Sequence, residues 1–519
     1  MVNKMSRSIS RFRPSPRDWR LAIPVCIALG GFVVRMALGP ITIDDAYITF
    51  RYARNVADGV GFVYKPGERI LGTTTPLWTL LLAAFCKIGA CDLPLVALVF
   101  GATADAATTL LLFQLARHLG LGRGWGALLS TLFAVSAASI TFTAGGMETP
   151  LFVLEVVGAV FADATGRPRR AAVIAGLATL TRPEGILMAV LVLGKYLLVG
   201  RFPPGRDLVS YLATVVPWVT FATWYFGSAL PQSVIAKAAV FEAPPTTNAV
   251  LLLTQIGLPG MNLEQLYSSD ETLRIAFGLP IGVFITLTAL ASAPRLARYL
   301  RGHPECLTLV GFAPLLAIAY MVAGARNVIL FYWYVVPLVP FYLFGIVVFL
   351  QRVTTRLPRI GVAAIASALL FWTVLGMGLG RDAKRSLFWP VGLSLSHEES
   401  YREAASFLAP RIDSTSTVAL PEIGTFGYYS RSRILDTAAL ISPQAARYYP
   451  LPAAYHGHAV PADLIRDAKP DYLVTPDIYL QGPLADATWF QRQYRLIATF
   501  DSPWILNART VLVYQRVGA

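Results

Sequence analysis

The chain has 519 residues, 55% of them hydrophobic and only 14% charged, with a mean hydropathy of +0.56; this excludes an ordinary soluble globular protein and leaves a polytopic membrane protein. The formal charge of +14 comes from 44 Lys+Arg against 30 Asp+Glu, and the basic residues cluster between apolar runs, which is the pattern of membrane topology and not of a nucleic-acid partner. The four cysteines lack CxxC or His-linked spacing and the five histidines lie in no metal motif; spacing permits a Cys86–Cys91 disulfide, but free thiols are the favoured reading.

In chain order, Arg7, Arg11, Arg13, Arg17 and Arg20 precede a first apolar run from Leu21 to Leu38. It is long enough to span and has no processing site, so the N-terminus is expected in the cytoplasm. If Arg117 and Arg123 are cytoplasmic, everything from Ile41 to Asp92 is outer loop. Within it Leu77 to Ile88 is apolar but short of the ~20 residues a crossing needs, and reads as an interfacial or re-entrant helix. Further spans are expected at Leu93 to Ala116, Trp125 to Ile140, Leu151 to Ala162, Ala171 to Leu180, Ile186 to Val199, Leu208 to Phe226, Leu273 to Leu290, Leu307 to Ala323, Phe331 to Phe349 and Ile360 to Leu379. The total is about 11 crossings, counting short spans, which puts the C-terminus outside.

From Arg381 the character changes. Tyr401 to Leu408 is helical in pattern, while Ser416 to Leu420, Tyr472 to Thr475, Arg495 to Phe500 and Val511 to Gln515 read as strands bounded by Pro, Asp and Gly. The expected organisation is therefore an α-helical polytopic membrane domain over residues 1–380 and a soluble extracytoplasmic α/β domain over residues 381–519.

Unusual polar residues gather on the outer side. Asp44 and Asp45 open the stretch DDAYITFRYARN directly after the first span. One aspartate is enough to cap a helix and favour its dipole, leaving the other for general-base work; Tyr47, Arg51 and Arg54 follow on neighbouring turns. Thr74 and Trp78 lie in and after the turn-rich GERILGTTTP, which either binds a sugar or phosphate or is simply a loop. Glu148 in GGMETP heads a span and emerges beside the surface of Asp44. Arg182 and Glu184 flank Pro183 on irregular backbone between two apolar runs, either as a structural ion pair or as a site that positions an acceptor or an anionic donor. Lys237, in LPQSVIAK, is a lone outer lysine suited to phosphate or to lipid headgroups. Arg326 precedes the aromatic run Phe331 to Tyr334, an interfacial belt with a secondary reading as a sugar-stacking surface.

DDAYITFRYARN, PGERILGTTTPLW, GGMETPLF, TRPEG and LPQSVIAK, in this order from about Ile41 to Lys237, resemble the GT-C integral-membrane glycosyltransferases, most closely the arabinofuranosyltransferases that use polyprenyl-phosphate arabinose. PEIGTFGYYS, ILDTAALISP and PDYLVT are similar to the soluble domain many of these enzymes carry. The resemblance implies inverting transfer of a sugar, with arabinofuranose the best guess, from a polyprenyl-phosphate donor to an extracytoplasmic glycan or protein at the bacterial cytoplasmic membrane. It implies Asp44 or Asp45 as base, with Asp44 preferred and Asp45 as cap or orienting partner, and Lys237, Arg182 and Arg326 as candidates to face the lipid phosphate. No cofactor is called for; a divalent cation beside the two carboxylates is the one candidate, without a dedicated ligand set. The competing reading is a transporter or flippase of a lipid-linked sugar, which would place polar residues on both sides and at mid-membrane.

Overall fold

The computed structural model describes residues 22–518 apart from 90, 241–243, 258–270, 327, 329, 355–394, 414, 452–458, 481 and 502–509. The first helix, α1 (Ala22–Leu38), is followed by α2 (Asp44–Ala57) and α3 (Pro76–Lys87), then by α4 (Leu93–His118), α5 (Arg123–Ala134), α6 (Ala137–Ala144), α7 (Thr149–Ala164), α8 (Pro168–Thr181) and α9 (Gly185–Gly194). Among the described residues the bundle continues with α10 (Gly205–Phe226), α11 (Gln232–Val240), α12 (Pro245–Gly257), α13 (Glu271–Gly302), α14 (Leu307–Gly324) and α15 (Val339–Thr354).

Among the described residues five helical segments are long and apolar enough to cross a membrane, Leu93–His118, Gly205–Phe226, Gly278–Gly302, Pro304–Gly324 and Val336–Thr354, the last two including the 3-10 turns that precede α14 and α15, and six if α5 and α6, bent by 44° at their junction, count as one. The expected count of about 11 is not reached on this criterion. At 17, 16, 14 and 10 residues, α1, α7, α8 and α9 fall short of an independent span, and Ile360 to Leu379 lies outside the described residues. The short α3 has 12 residues, as the interfacial or re-entrant reading requires.

Polar ties fasten the short helices. Arg35 of α1 donates to the Asp105 carboxylate of α4 at 2.7 Å, and Ser139 and Thr143 of α6 donate to the same oxygen at 2.7 and 2.6 Å. A buried guanidinium and carboxylate are costly unless paired, so this cluster fixes how three helices meet. At α3, Cys86 is bonded to Cys91, which corrects the expectation of free thiols; a turn at Gly89 with φ +101° brings the two Cα atoms within 4.1 Å.

Among the described residues the C-terminal α/β part comprises α16 (Leu395–Leu408), β1 (Thr417–Leu420), α17 (Gly424–Ser430), β2 (Arg433–Asp436), α18 (Ala462–Ala468), β3 (Tyr472–Pro476), α19 (Thr488–Gln493), β4 (Tyr494–Asp501) and β5 (Thr510–Arg516). The sheet order is β2-β1-β3-β5-β4, with β2, β1 and β3 parallel and β5 antiparallel to both β3 and β4. The four expected strands are present, and β2 is additional. β1 and β3 are largely apolar and buried on both faces, as central parallel strands flanked by helices must be. Their hydrophobic core continues without a break into Ile48, Tyr52, Phe62, Tyr64 and Leu71 of the loop that carries α2 and into Ala236 and Val240 of α11.

Candidate active site

Asp44 and Asp45 form the first turn of α2, but neither caps it: the N-cap is Ile43, with no side-chain cap bond. The entry to the helix is held instead from the α6–α7 turn, where the carbonyls of Ala144 and Gly145 accept the amides of Ile41 and Ile43 at 2.8 and 3.2 Å. The two carboxylates then diverge.

Asp44 faces the C-terminal domain, where its two oxygens accept the backbone amides of Gly424 and Thr425 at 2.9 and 2.7 Å. Burial and the nearby Glu422 carboxylate raise its pKa to about 7, against the pull of the two amides. Glu422 itself accepts from Tyr479 at 3.1 Å and pairs with His397 at 2.6 Å. Burial pushes the His397 imidazolium down, but Glu422 outweighs it and lifts His397 to about 9. Burial likewise lifts Glu398 to about 7.

Asp45 is a third exposed and lies 3.8 Å from Lys237 Nζ of α11. The ammonium sits over the rings of Phe331, Trp333 and Tyr334, at 4.6, 5.5 and 6.0 Å from their centroids. The aromatic run is thus not the head of a helix: Tyr332–Tyr334 is a 3-10 turn, a second turn follows at Val336–Leu338, and α15 starts only at Val339. The rings wall in a cation, an arrangement aromatic faces favour.

Behind Tyr334 lies the Arg-Pro-Glu-Gly break. Arg182 leaves the α8 helix in extended backbone, and Gly185 packs so closely against the Ala178 carbonyl that any Cβ would overlap it. This turn aims the buried Arg182 guanidinium at Glu148 (3.1 Å) and Glu184 (2.9 Å), with the Tyr320 hydroxyl donating to Glu184 at 3.0 Å. The guanidinium carbon is 5.4 Å from the Tyr334 centroid, so the Tyr334 ring neighbours both Arg182 and Lys237. Arg182 is saturated by two carboxylates, whereas Lys237 has one loose partner. Of Arg182 and Lys237, and among the described residues, Lys237 is the less tightly held.

The structure therefore brings together Asp45, Lys237, Glu148, Arg182 and Glu184, and separates the other predicted site residues from them. Tyr47 packs on Tyr428 and Tyr429 of α17. The Arg51 guanidinium donates to the carbonyls of Gly427 (2.8 Å) and Ser432 (2.9 Å). Both bind the C-terminal domain. Thr74 is half-buried between Thr73 and Thr75, whose hydroxyls bond to each other and to Thr49. Trp78 is buried against Phe100 with its indole N–H unpaired among the described residues. Arg326 is exposed. The sequence reading missed Phe331, Trp333 and Tyr334 as partners of Lys237, and missed Gly424 and Gly427. The Gly-Thr-Phe-Gly spacing was a usable signal, since small residues one turn apart let a helix approach closely: a Cβ on Gly424 would overlap the Asp44 carbonyl, and one on Gly427 the Tyr64 hydroxyl.

The acid pair does not fit a shared divalent ion. Both Asp44 oxygens are held by amides, and among the described residues no group of three or more His, Cys, Asp or Glu is placed to hold a metal.

Residues 392–514 match a family model described as a domain of unknown function (DUF8728). The chain is 28% identical over 222 residues to the terminal β-(1→2)-arabinofuranosyltransferase of Mycobacterium tuberculosis; the match covers 38% of this chain and 35% of that protein, so the chain spans about a third of that relative. Two crystal structures of ArnT from Cupriavidus metallidurans are similar over 96% of this chain: the apo state, with a TM-score of 0.54 at 12% identity over 97% of its length, and the complex with undecaprenyl phosphate, with a TM-score of 0.52 at 13% identity over 98%. The chain shares the overall fold of these ArnT structures.

Proposed function

We propose that this protein is an inverting membrane glycosyltransferase that moves a sugar from a polyprenyl-phosphate donor to an extracytoplasmic acceptor, a glycan or another cell-envelope molecule. The observation that carries the reading is the Asp45–Lys237 pair, a partly open carboxylate 3.8 Å from an ammonium whose other neighbours are aromatic rings. The undecaprenyl phosphate bound by ArnT supports the carrier, and the arabinofuranosyltransferase likeness favours arabinofuranose as the sugar.

In this reading Asp45 replaces Asp44 as the base. Asp44 has both oxygens on backbone amides and faces away from Lys237. Asp45 takes the proton of the acceptor hydroxyl as its oxygen attacks the anomeric carbon, the bond from that carbon to the phosphate oxygen breaks, and the electron pair leaves on the lipid phosphate. Lys237 offsets the charge that grows there. Arg182, fixed between Glu148 and Glu184, holds the wall formed by Tyr334.

The same reading places residues 1–380 in the membrane domain, with a cytoplasmic N-terminus, and residues 381–519 outside. The Cys86–Cys91 disulfide supports that orientation, because such bonds persist in oxidising compartments, and Lys87 beside it donates to the Ala57 carbonyl at the end of α2.

The test is the purified full-length protein in lipid nanodiscs with a panel of radiolabelled polyprenyl-phosphate sugars. Donor consumption with release of polyprenyl phosphate is expected, with Lys237→Ala raising the donor KM by about 10–100-fold, as loss of one charge-assisted phosphate contact would. If liposomes containing the protein move intact donor across the bilayer without cleaving it, the molecule is a transporter.

A further inference from the structure

In open α/β sheets ligands bind outside the carboxyl ends of the strands, where the strand order reverses. In the C-terminal domain that place is beside β1, which lies between β2 and β3. The groups that line it are directed to this chain's own outer loop. The Gly424 and Thr425 amides that follow β1 hold Asp44, and the Ile423 carbonyl accepts the Tyr64 hydroxyl at 2.5 Å. Past β2, the Ala439 carbonyl accepts the side-chain amide of Gln232 at 3.2 Å. Asp436 at the end of β2 is occupied by the amides of Ala438 and Ile441, both at 2.8 Å.

Two of these contacts matter together. Asp44 is the first residue of α2, and the next is Asp45; Gln232 is the first residue of α11, which carries Lys237. One rigid sheet domain therefore grips both helices whose side chains form the Asp45–Lys237 pair. Adjacent residues on a helix point about 100° apart, so fixing the Asp44 carboxylate on two amides also fixes the direction of Asp45.

We propose that Asp44 and Gln232 are positioning residues through which the C-terminal domain sets the separation and orientation of Asp45 and Lys237. The domain reads its own chain in the crevice where comparable sheets hold a ligand. The proposal rests on the assignment of Asp45 and Lys237 to the reaction centre, but its physical core, the grip on α2 and α11, is measurable without any substrate.

The experiment uses the full-length protein in nanodiscs with Asp44→Ala, Asp44→Asn and Gln232→Ala. Hydrogen–deuterium exchange is followed in peptides covering Gly424–Ser430, α2 and α11, with β1, β3 and β5 as the control for folding. Asp44→Ala is expected to speed exchange at Gly424 and Thr425 by about 10–100-fold, the range for losing hydrogen bonds to a charged group, with the strands unchanged. Asp44→Asn, which keeps one acceptor oxygen, falls between, and Gln232→Ala speeds exchange in α11. With polyprenyl-phosphate arabinose as probe, Asp44→Ala lowers kcat by a similar factor while the donor KM stays within about twofold, and Asn restores part of it. Unchanged exchange in both Asp44→Ala and Gln232→Ala overturns the proposal. So does a kcat abolished equally by Asn and Ala at Asp44, the signature of a base. A wild-type protein that uses no such donor overturns the proposed function alone, since the exchange arm still decides the grip.

Discussion

The Asp44 carboxylate accepts the Gly424 amide at 2.9 Å across 380 positions of sequence, and this contact joins the two halves of the molecule at the residue beside the proposed base. The C-terminal domain is part of the site's framework. Its core is continuous with the outer loop, and α17 lies on α2 so closely that a Cβ at Gly424 would overlap the Asp44 backbone, while one at Gly427 would meet the Tyr64 hydroxyl.

Gly427→Ala tests that close approach. The added Cβ would meet the Tyr64 hydroxyl and lie 2.9 Å from an Arg51 guanidinium nitrogen. Overpacking of this kind costs about 1–3 kcal/mol. Thermal unfolding should show a lowered Tm, and Tyr64→Phe in the same chain should recover part of it although Tyr64→Phe alone is destabilising. Simple addition of the two losses would show that the surfaces part easily.

The His397–Glu422 pair, internal to the C-terminal domain and close to Asp44, predicts a pH dependence of that domain's stability. His397 is raised from 6.5 to about 9, so its contribution is full below about pH 6.5 and is lost as the pH rises through about 9, a change of about 3 kcal/mol at most. Asp44, raised from 3.8 to about 7, acts in the same direction at lower pH, its contribution being lost as pH rises through 7. Glu398, Tyr401 and Tyr479 face the same cluster. Limited proteolysis of the C-terminal domain should therefore accelerate between pH 7 and pH 10 in the wild type and much less in His397→Gln; identical profiles would show that the pair does not set the domain's stability.

Arg182→Lys keeps the charge and loses the fork. A single ammonium does not reproduce the 3.1 and 2.9 Å contacts to Glu148 and Glu184 together. Breaking one side of a buried pair costs about 3–5 kcal/mol, so thermal stability and donor turnover should both fall, and Glu184→Gln in the same chain should restore part of the stability. An Arg182→Lys protein with wild-type Tm would mean that the network does not hold the Tyr334 wall.

Orientation is checked by thiol labelling. After reduction, Cys86 and Cys91 should react with an impermeant maleimide added from the extracytoplasmic side of intact cells, with Cys26 and Cys306 replaced by serine. Labelling from the cytoplasmic side alone would invert the topology.

Much of this arrangement is legible in the sequence, for a physical reason. Charged side chains are costly among apolar helices and gather where helices end, so Asp45, Glu148, Arg182, Glu184 and Lys237 were read onto one surface, although the expected number of spans is not reached. Tyr47 and Arg51 were read as site residues because aromatic and basic side chains at helical spacing suit a substrate as well as a docking face; only the partner surface separates the two. The partner of Asp44 had no signature, because backbone amides carry none and sit in the distant C-terminal domain. Arg35 and Asp105 were hidden by apolar neighbours, each being a single charge within a long hydrophobic window. The four-residue β2 begins and ends on charged residues, Arg433 and Asp436, and so lacks the apolar pattern that marks the equally short β1, with which it pairs.

The most direct measurement of the central claim is single-turnover sugar transfer by Asp45→Asn beside Asp44→Asn, in full-length protein with saturating polyprenyl-phosphate arabinose. Loss of general-base catalysis lowers a rate by about 10²–10⁴-fold. The account predicts a loss of that size in Asp45→Asn, with donor binding retained and Asp44→Asn keeping measurable turnover. Wild-type transfer by Asp45→Asn, with Asp44→Asn inactive, would contradict it.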